Sequence, residues 1–112
     1  MDEKATHIDE AALQRLVSLL GSADEILELF GSEAPPLYRA LQKAVDEHDK
    51  KAITENAHSL KSNAWEVGAL PLGDLCKRVE LAGRNGVMDG LPELLEEIDQ
   101  EFEAVLACLA RL

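Results

Sequence analysis

The sequence predicts an all-α protein: an antiparallel, up-down-up-down four-helix bundle with a short N-terminal capping helix. Three observations carry this. Leu, Ala and Glu abound, while aromatic residues make up only 4% of the 112 residues, a balance that favours helices over sheets. Apolar residues recur at three- and four-residue spacing, and no stretch alternates with the period of two of a half-buried strand. The connections between the periodic stretches are short, which makes neighbouring helices antiparallel.

Residues 1–7 are expected to be loose. Asp9 is suited to cap a short first helix to about Leu20, with Leu13, Leu16, Val17 and Leu20 on one side. Gly21 and Ser22 separate it from a second helix, from about Ala23 to about Glu47, whose apolar positions include Ile26, Leu27, Phe30, Leu37, Leu41, Ala44 and Val45. Pro35 and Pro36 fall inside it; proline removes a hydrogen bond and crowds the preceding turn, so this element is expected to be one bent helix rather than two pieces with Pro35 or Pro36 opening the second. The third helix runs from about Asp49, a good N-cap type, to about Val67, where Gly68 stops it. The fourth starts near Pro71, carries Leu72, Leu75, Cys76, Val79 and Ala82 as its stripe, and ends around Arg84 before the Asn85-Gly86 turn signal. The fifth begins at about Asp89 or Leu91 and follows a 3-4 pattern through Leu94, Leu95, Ile98, Phe102, Val105 and Leu109. Its run of acids, from Glu93 to Glu103, reads as a solvated face.

Length fits one domain, residues 1–112, with a single core. No apolar run is long enough to cross a bilayer, and Met1-Asp2-Glu3-Lys4 lacks the regions of a signal peptide, so a cytoplasmic protein is expected. Cys76 and Cys108 lie on apolar stripes and read as buried free thiols. There is no C-x-x-C, and His7, His48 and His58 show no ligand spacing, so neither a metal nor a cofactor is expected. A net charge of −11 argues against nucleic acid and anionic membranes as partners and favours a monomer. The charge is uneven. From Lys50 to Arg84, six bases face four acids, a balance of +2, and the rest of the chain carries −13. The only positive part of an acidic protein points to an acidic partner.

That positive part contains the stretch around which the chain is organised. On the third helix Ile53, Ala57, Leu60, Ala64 and Val67 form the inward stripe, and His58 lies roughly 140° from its centre, facing water. Trp65 lies seven residues on, nearly above it, with Ser62 between and Lys61 one turn away. If the hairpin turns at Gly68 to Leu70, the residues opposite His58 fall near Lys77 to Leu81, bringing Lys77 and Arg78 toward the same surface. An imidazole, with an ordinary pKa of about 6.5, keeps a neutral, nucleophilic fraction at physiological pH. Nearby cations favour that neutral form, attract a phosphoryl group and steady its charge. The parts needed to accept a phosphoryl group are present. Those needed to make one, a Gly-rich phosphate loop and a carboxylate cluster for Mg²⁺ and nucleotide, are not in the sequence.

The run Ala57-His58-Ser59-Leu60-Lys61, then Gly68-Ala69 and the downstream Leu72, Leu75-Cys76, Glu80 and Gly83, resembles histidine-containing phosphotransfer (HPt) domains. The resemblance extends from about Ile8 through the fifth helix. It implies that His58 is the phosphorylated residue and that Lys61 sits near the phosphoryl group. It also implies a relay between the aspartates of two receiver domains, those of response regulators and of a hybrid sensor kinase, with the receiver supplying Mg²⁺ and the chain itself having no kinase activity. The family usually has glycine after that lysine, where this sequence has Ser62, also small. Ser62, Trp65, Lys77, Arg78 and Arg84 are the candidate partner contacts. The competing reading is an adaptor that binds through the same hairpin without being phosphorylated.

Overall fold

The computed structural model describes residues 7–111, and these are helical throughout apart from short connections. Five helices follow in order: α1 (Glu10–Leu20), α2 (Ala23–Asp46), α3 (Lys50–Glu66), α4 (Leu70–Asn85) and α5 (Leu91–Ala110). No strand occurs among the described residues. Of the N-terminal stretch expected to be loose, residues 1–6 lie outside the described residues. His7 does not, and its Nδ1 lies 2.6 Å from Glu101 Oε1 on α5, so this residue is tied down.

Of the two expected caps, Asp49 operates as one and Asp9 does not, and Ser22 caps the second helix. Ser22 Oγ accepts from the Glu25 N–H at 3.1 Å to start α2, and Asp49 Oδ1 accepts from the Ala52 N–H at 3.1 Å to start α3. Asp9 occupies the N-cap position of α1 but makes no side-chain cap bond. Its backbone N–H donates instead to the Gly68 carbonyl at 2.6 Å, fastening the start of α1 to the α3–α4 turn. At Gly68 φ is +79°, and an added Cβ would stand 2.7 Å from the Asp9 carbonyl oxygen. The position thus demands glycine for both conformation and space.

Helix α2 passes through Pro35 and Pro36 as one continuous element. The carbonyls that lose their donors belong to Gly31 and Ser32, both exposed, so water can satisfy them.

The core is drawn from all five helices. Ile53, Ala57, Leu60 and Ala64 of α3 and Leu72, Cys76 and Val79 of α4 are fully buried, as the apolar spacing requires. Helix α3 packs on α2 and α4, and α5 packs on both α2 and α4. At the α2–α5 contact Phe102 stacks between Phe30, with ring centroids 5.4 Å apart, and Tyr38, at 6.0 Å. The Tyr38 hydroxyl donates to the Leu95 carbonyl at 3.0 Å, so its polar end is not left unpaired in the core. Leu13 of α1 is buried, Leu16 and Val17 are half-buried, and Leu19 and Leu20 are exposed.

The α3–α4 pair is the most extensive contact of the fold. Its partners run in reverse order: Lys50 beside Gly86, Thr54 beside Gly83, His58 beside Glu80 and Trp65 beside Gly73. Glycines hold this seam close. A Cβ on Gly83 would come within 2.8 Å of Ile53 Cγ2 and Thr54 Oγ1, and one on Gly73 would overlap the Trp65 indole.

Candidate functional site

Histidine 58 projects from the middle of α3 with its side chain 59% exposed, as its distance from the apolar stripe requires. The close α3–α4 seam brings one residue of α4 against it. Glu80 Oε2 lies 2.9 Å from His58 Nδ1. The same carboxylate accepts from Lys61 Nζ through Oε1 at 2.7 Å and from Arg84 through Oε2 at 3.1 Å. Glu80 is only 4% exposed. A buried carboxylate with three donors is fully engaged, and no described buried side-chain polar atom lacks a partner.

Burial pushes the Glu80 carboxyl up, but the hydrogen bonds and charges of Lys61 and His58 outweigh it and hold the group below the usual carboxylate range. Glu80 is therefore ionised at neutral pH and can only accept. It follows that His58 Nδ1 carries the hydrogen of the 2.9 Å bond. In the neutral ring the lone pair then falls on the other nitrogen, Nε2, which does not face Glu80. A shallow depression beside the ring is lined by Thr54, Glu55, His58, Ser59, Glu80 and Arg84.

The other expected residues sort themselves around this cluster. Lys61 lies within it, but its ammonium is spent on Glu80 and its side chain is only 15% exposed. Its Nζ also sits 5.3 Å from the centre of the Trp65 ring, within cation–π range. Trp65 lies over Gly73 and remains 37% exposed. Arg84 enters the cluster through Glu80, with its own side chain 59% exposed. Ser62 is half-buried. Lys77 and Arg78 are exposed on α4, and neither takes part in the hydrogen bonds around His58. Cys76, buried beneath the site, has its thiol pushed up to about 12 by burial, against the opposing charge of Lys61. Among the described residues no group of three or more His, Cys, Asp and Glu side chains could hold a metal ion.

A family model for the Hpt domain matches residues 25–108. The chain belongs to the Hpt domain family. Its function is accordingly histidine phosphotransfer in two-component phosphorelays, through the receiver domains with which HPt domains interact. Two solved structures resemble it along nearly its whole length. The histidine-containing phosphotransfer protein B (HptB) of Pseudomonas aeruginosa PAO1 is 29% identical, with a TM-score of 0.87, covering 94% of this chain and 92% of that one. The histidine-containing phosphotransfer domain of ArcB from Escherichia coli shares the fold at 23% identity, with a TM-score of 0.82, covering 98% of this chain and 95% of that one. No curated protein matches the chain by sequence. None of the described helices is long and apolar enough to cross a membrane.

Glu80 is the residue that sequence reasoning left without a role. It carries a legible signal: it falls between Cys76, Val79 and Gly83, on the buried side of α4, where an unpaired acid would be costly. An acid in that stripe requires cationic or donor partners, and α3 supplies two of them.

Proposed function

We propose that His58 is the phosphoryl acceptor of this HPt domain and that Nε2 is the nucleophile. One observation carries the reading: the ionised Glu80 holds Nδ1–H, and the exposed ring offers its remaining nitrogen to solvent. A phosphorylated receiver domain docks over the α3–α4 hairpin. The Nε2 lone pair attacks the phosphorus of its aspartyl phosphate in line, the P–O bond to the aspartate breaks, and a second receiver later takes the phosphoryl group from His58. The receivers belong to response regulators and to a hybrid sensor kinase. They hold the Mg²⁺ that such a transfer uses, and the chain acts as a carrier without kinase activity of its own.

Lys61 and Arg84 supply positive charge beside the acceptor, Arg84 with the more accessible head. Trp65, Leu70 and Leu81 are exposed apolar side chains on the same hairpin and provide docking area, with half-buried Ser62 keeping the approach close to α3. Lys77 and Arg78, exposed on α4, add positive charge that steers an acidic partner rather than reaching the phosphoryl group. The supporting frame is an antiparallel up-down-up-down bundle of α2 to α5 with α1 capping one end, a single domain spanning residues 1–112. It functions as a monomer in the cytoplasm; its net charge of −11 and two buried free thiols support that setting.

The test is transfer from a phosphorylated receiver domain to wild type and His58→Gln side by side. An acid-labile, alkali-stable phosphate on wild type alone is the expected result. Label on neither protein, with several receivers tried and both variants helical, would point to the adaptor; equal label on both would move the acceptor elsewhere.

A further inference from the structure

Resting on His58 as the acceptor, we infer that Glu80 is a positioning residue that keeps the Nδ1 proton on His58 through the phosphorylated state. The imidazole then departs as a neutral ring when the phosphoryl group moves on.

The electron count shows why this matters. When the Nε2 lone pair forms the N–P bond, the P–O bond of the aspartyl phosphate breaks and its electron pair leaves with the aspartate. No proton has moved, so the ring still bears Nδ1–H and now carries a positive charge. In the next transfer the N–P bond breaks and its electron pair returns to Nε2. If Nδ1–H is still in place, the product is neutral imidazole. If that proton has been lost to water, the leaving group is an imidazolate, a strong base and a poor leaving group, and the phosphoryl group stays where it is.

The geometry places one group where it can hold the proton: Glu80 Oε2, 2.9 Å from Nδ1. A carboxylate hydrogen-bonded to one ring nitrogen stabilises the positively charged ring, as in catalytic histidine–carboxylate pairs. A bare carboxylate facing a cationic ring could take the proton for itself. Here Lys61 at 2.7 Å and Arg84 at 3.1 Å both donate to Glu80 and keep it anionic. The other charged group in the depression is Glu55 on α3, exposed and 3.9 Å from Lys51, while Thr54 and Ser59 are neutral. Helix α2 packs elsewhere on α3 and contributes no residue to the depression. The proton on Nδ1 is thus held by Glu80, whose carboxyl is in turn held low by Lys61 and by His58 itself, with Arg84 as a further donor.

The test uses the full chain, phosphorylated on His58 with phosphoramidate, a donor that needs no partner protein. The rate of phosphate loss is followed from pH 5 to 9 for wild type and Glu80→Gln. Loss is fast while Nδ1 is protonated and slows as the proton leaves. Exchanging the charged acceptor for a neutral amide is expected to move the slowing limb about one pH unit toward acid, so that near neutral pH the variant loses phosphate about tenfold more slowly. At pH 5, where both rings hold the proton, the two rates converge. A merely structural role would instead change the rate by the same factor at every pH. Coincident profiles, or a uniform offset, would overturn the inference. If Glu80→Gln does not fold, ¹⁵N shifts of the phosphorylated wild-type ring decide the matter: Nδ1 losing its proton no later than in a free phosphohistidine peptide would overturn it equally. Absence of phosphate from His58 with every donor would overturn the acceptor assignment and this inference with it. Labelled wild type with coincident profiles would overturn this inference alone.

Discussion

The same substitution at two helical glycines should have unequal effects on stability. Gly31 lies exposed inside α2, and a Cβ there would meet nothing within 4 Å. Gly83 lies on the buried face of α4, and a Cβ there would stand 2.8 Å from Ile53 Cγ2, 2.8 Å from Thr54 Oγ1 and 3.1 Å from the Thr54 backbone nitrogen. Alanine gains roughly 1 kcal/mol over glycine inside a helix, at either site. At Gly31 nothing opposes that gain. At Gly83 one contact is backbone and another is the β-branch of Ile53, so α3 and α4 must part, an overpacking cost of about 1–3 kcal/mol. The propensity gain is common to both, and the gap between the variants is that steric cost. At about 4 °C per kcal/mol for a domain of this size, Gly31→Ala should melt roughly 4–12 °C above Gly83→Ala. The parting falls about one turn from Glu80, so Gly83→Ala should also lengthen the bonds from Glu80 to His58 and Lys61 and slow phosphoryl transfer, while Gly31→Ala transfers normally. Thermal and urea unfolding followed by circular dichroism, with receiver transfer in parallel, make the comparison. Equal stabilities of the two variants would refute the close packing of the α3–α4 seam.

The helix caps offer a second contrast. Ser22→Ala and Asp49→Ala each remove a 3.1 Å cap bond and should cost about 1 kcal/mol in urea unfolding, whereas Asp9→Ala, with no side-chain cap bond to lose, should cost little. Acid should weaken the protein through Glu80. Its folded pKa is lowered, so its contribution is complete above the ordinary carboxylate pKa and is lost as pH falls through the lower folded value. Unfolding free energy measured from pH 7 to 3 should therefore fall less for Glu80→Gln than for wild type; parallel curves would remove Glu80 from the acid response. Trp65→Ala should weaken receiver binding and uncover Gly73 while the bundle stays folded, read by titration calorimetry and melting. A large loss of stability with binding unchanged would make Trp65 a structural residue.

Most of the fold was legible because it depends on spacing. Ile53, Ala57, Leu60 and Ala64 repeat at helical intervals, and all four are fully buried. The start of α1 was only half legible: Asp9 has the right chemistry for a cap, but the Gly68 carbonyl, remote in sequence, captures its backbone instead. The two prolines of α2 could be read as a bend or a break, since the outcome turns on whether the abandoned carbonyls of Gly31 and Ser32 reach water, a tertiary fact. The site shows the boundary most clearly. A turn at Gly68 to Leu70 sets the register, and the residues placed opposite His58, from Lys77 to Leu81, do include its partner. Within that interval charge alone favours the cations Lys77 and Arg78, because a phosphoryl group asks for positive charge. Helical phase removes Arg78, which lies about 160° from Glu80 on the far side of α4. Lys77, about 60° from Glu80, lies exposed beside it and makes none of the hydrogen bonds around His58. Glu80 follows Cys76 by four residues and precedes Gly83 by three, which puts it on the buried side that faces α3. Register was readable from the turn and facing from the stripe, and only together do they select an acid. The carboxylate gathers its cations from both helices, Lys61 on α3 and Arg84 on α4, so the charge pattern of either helix read alone points away from it.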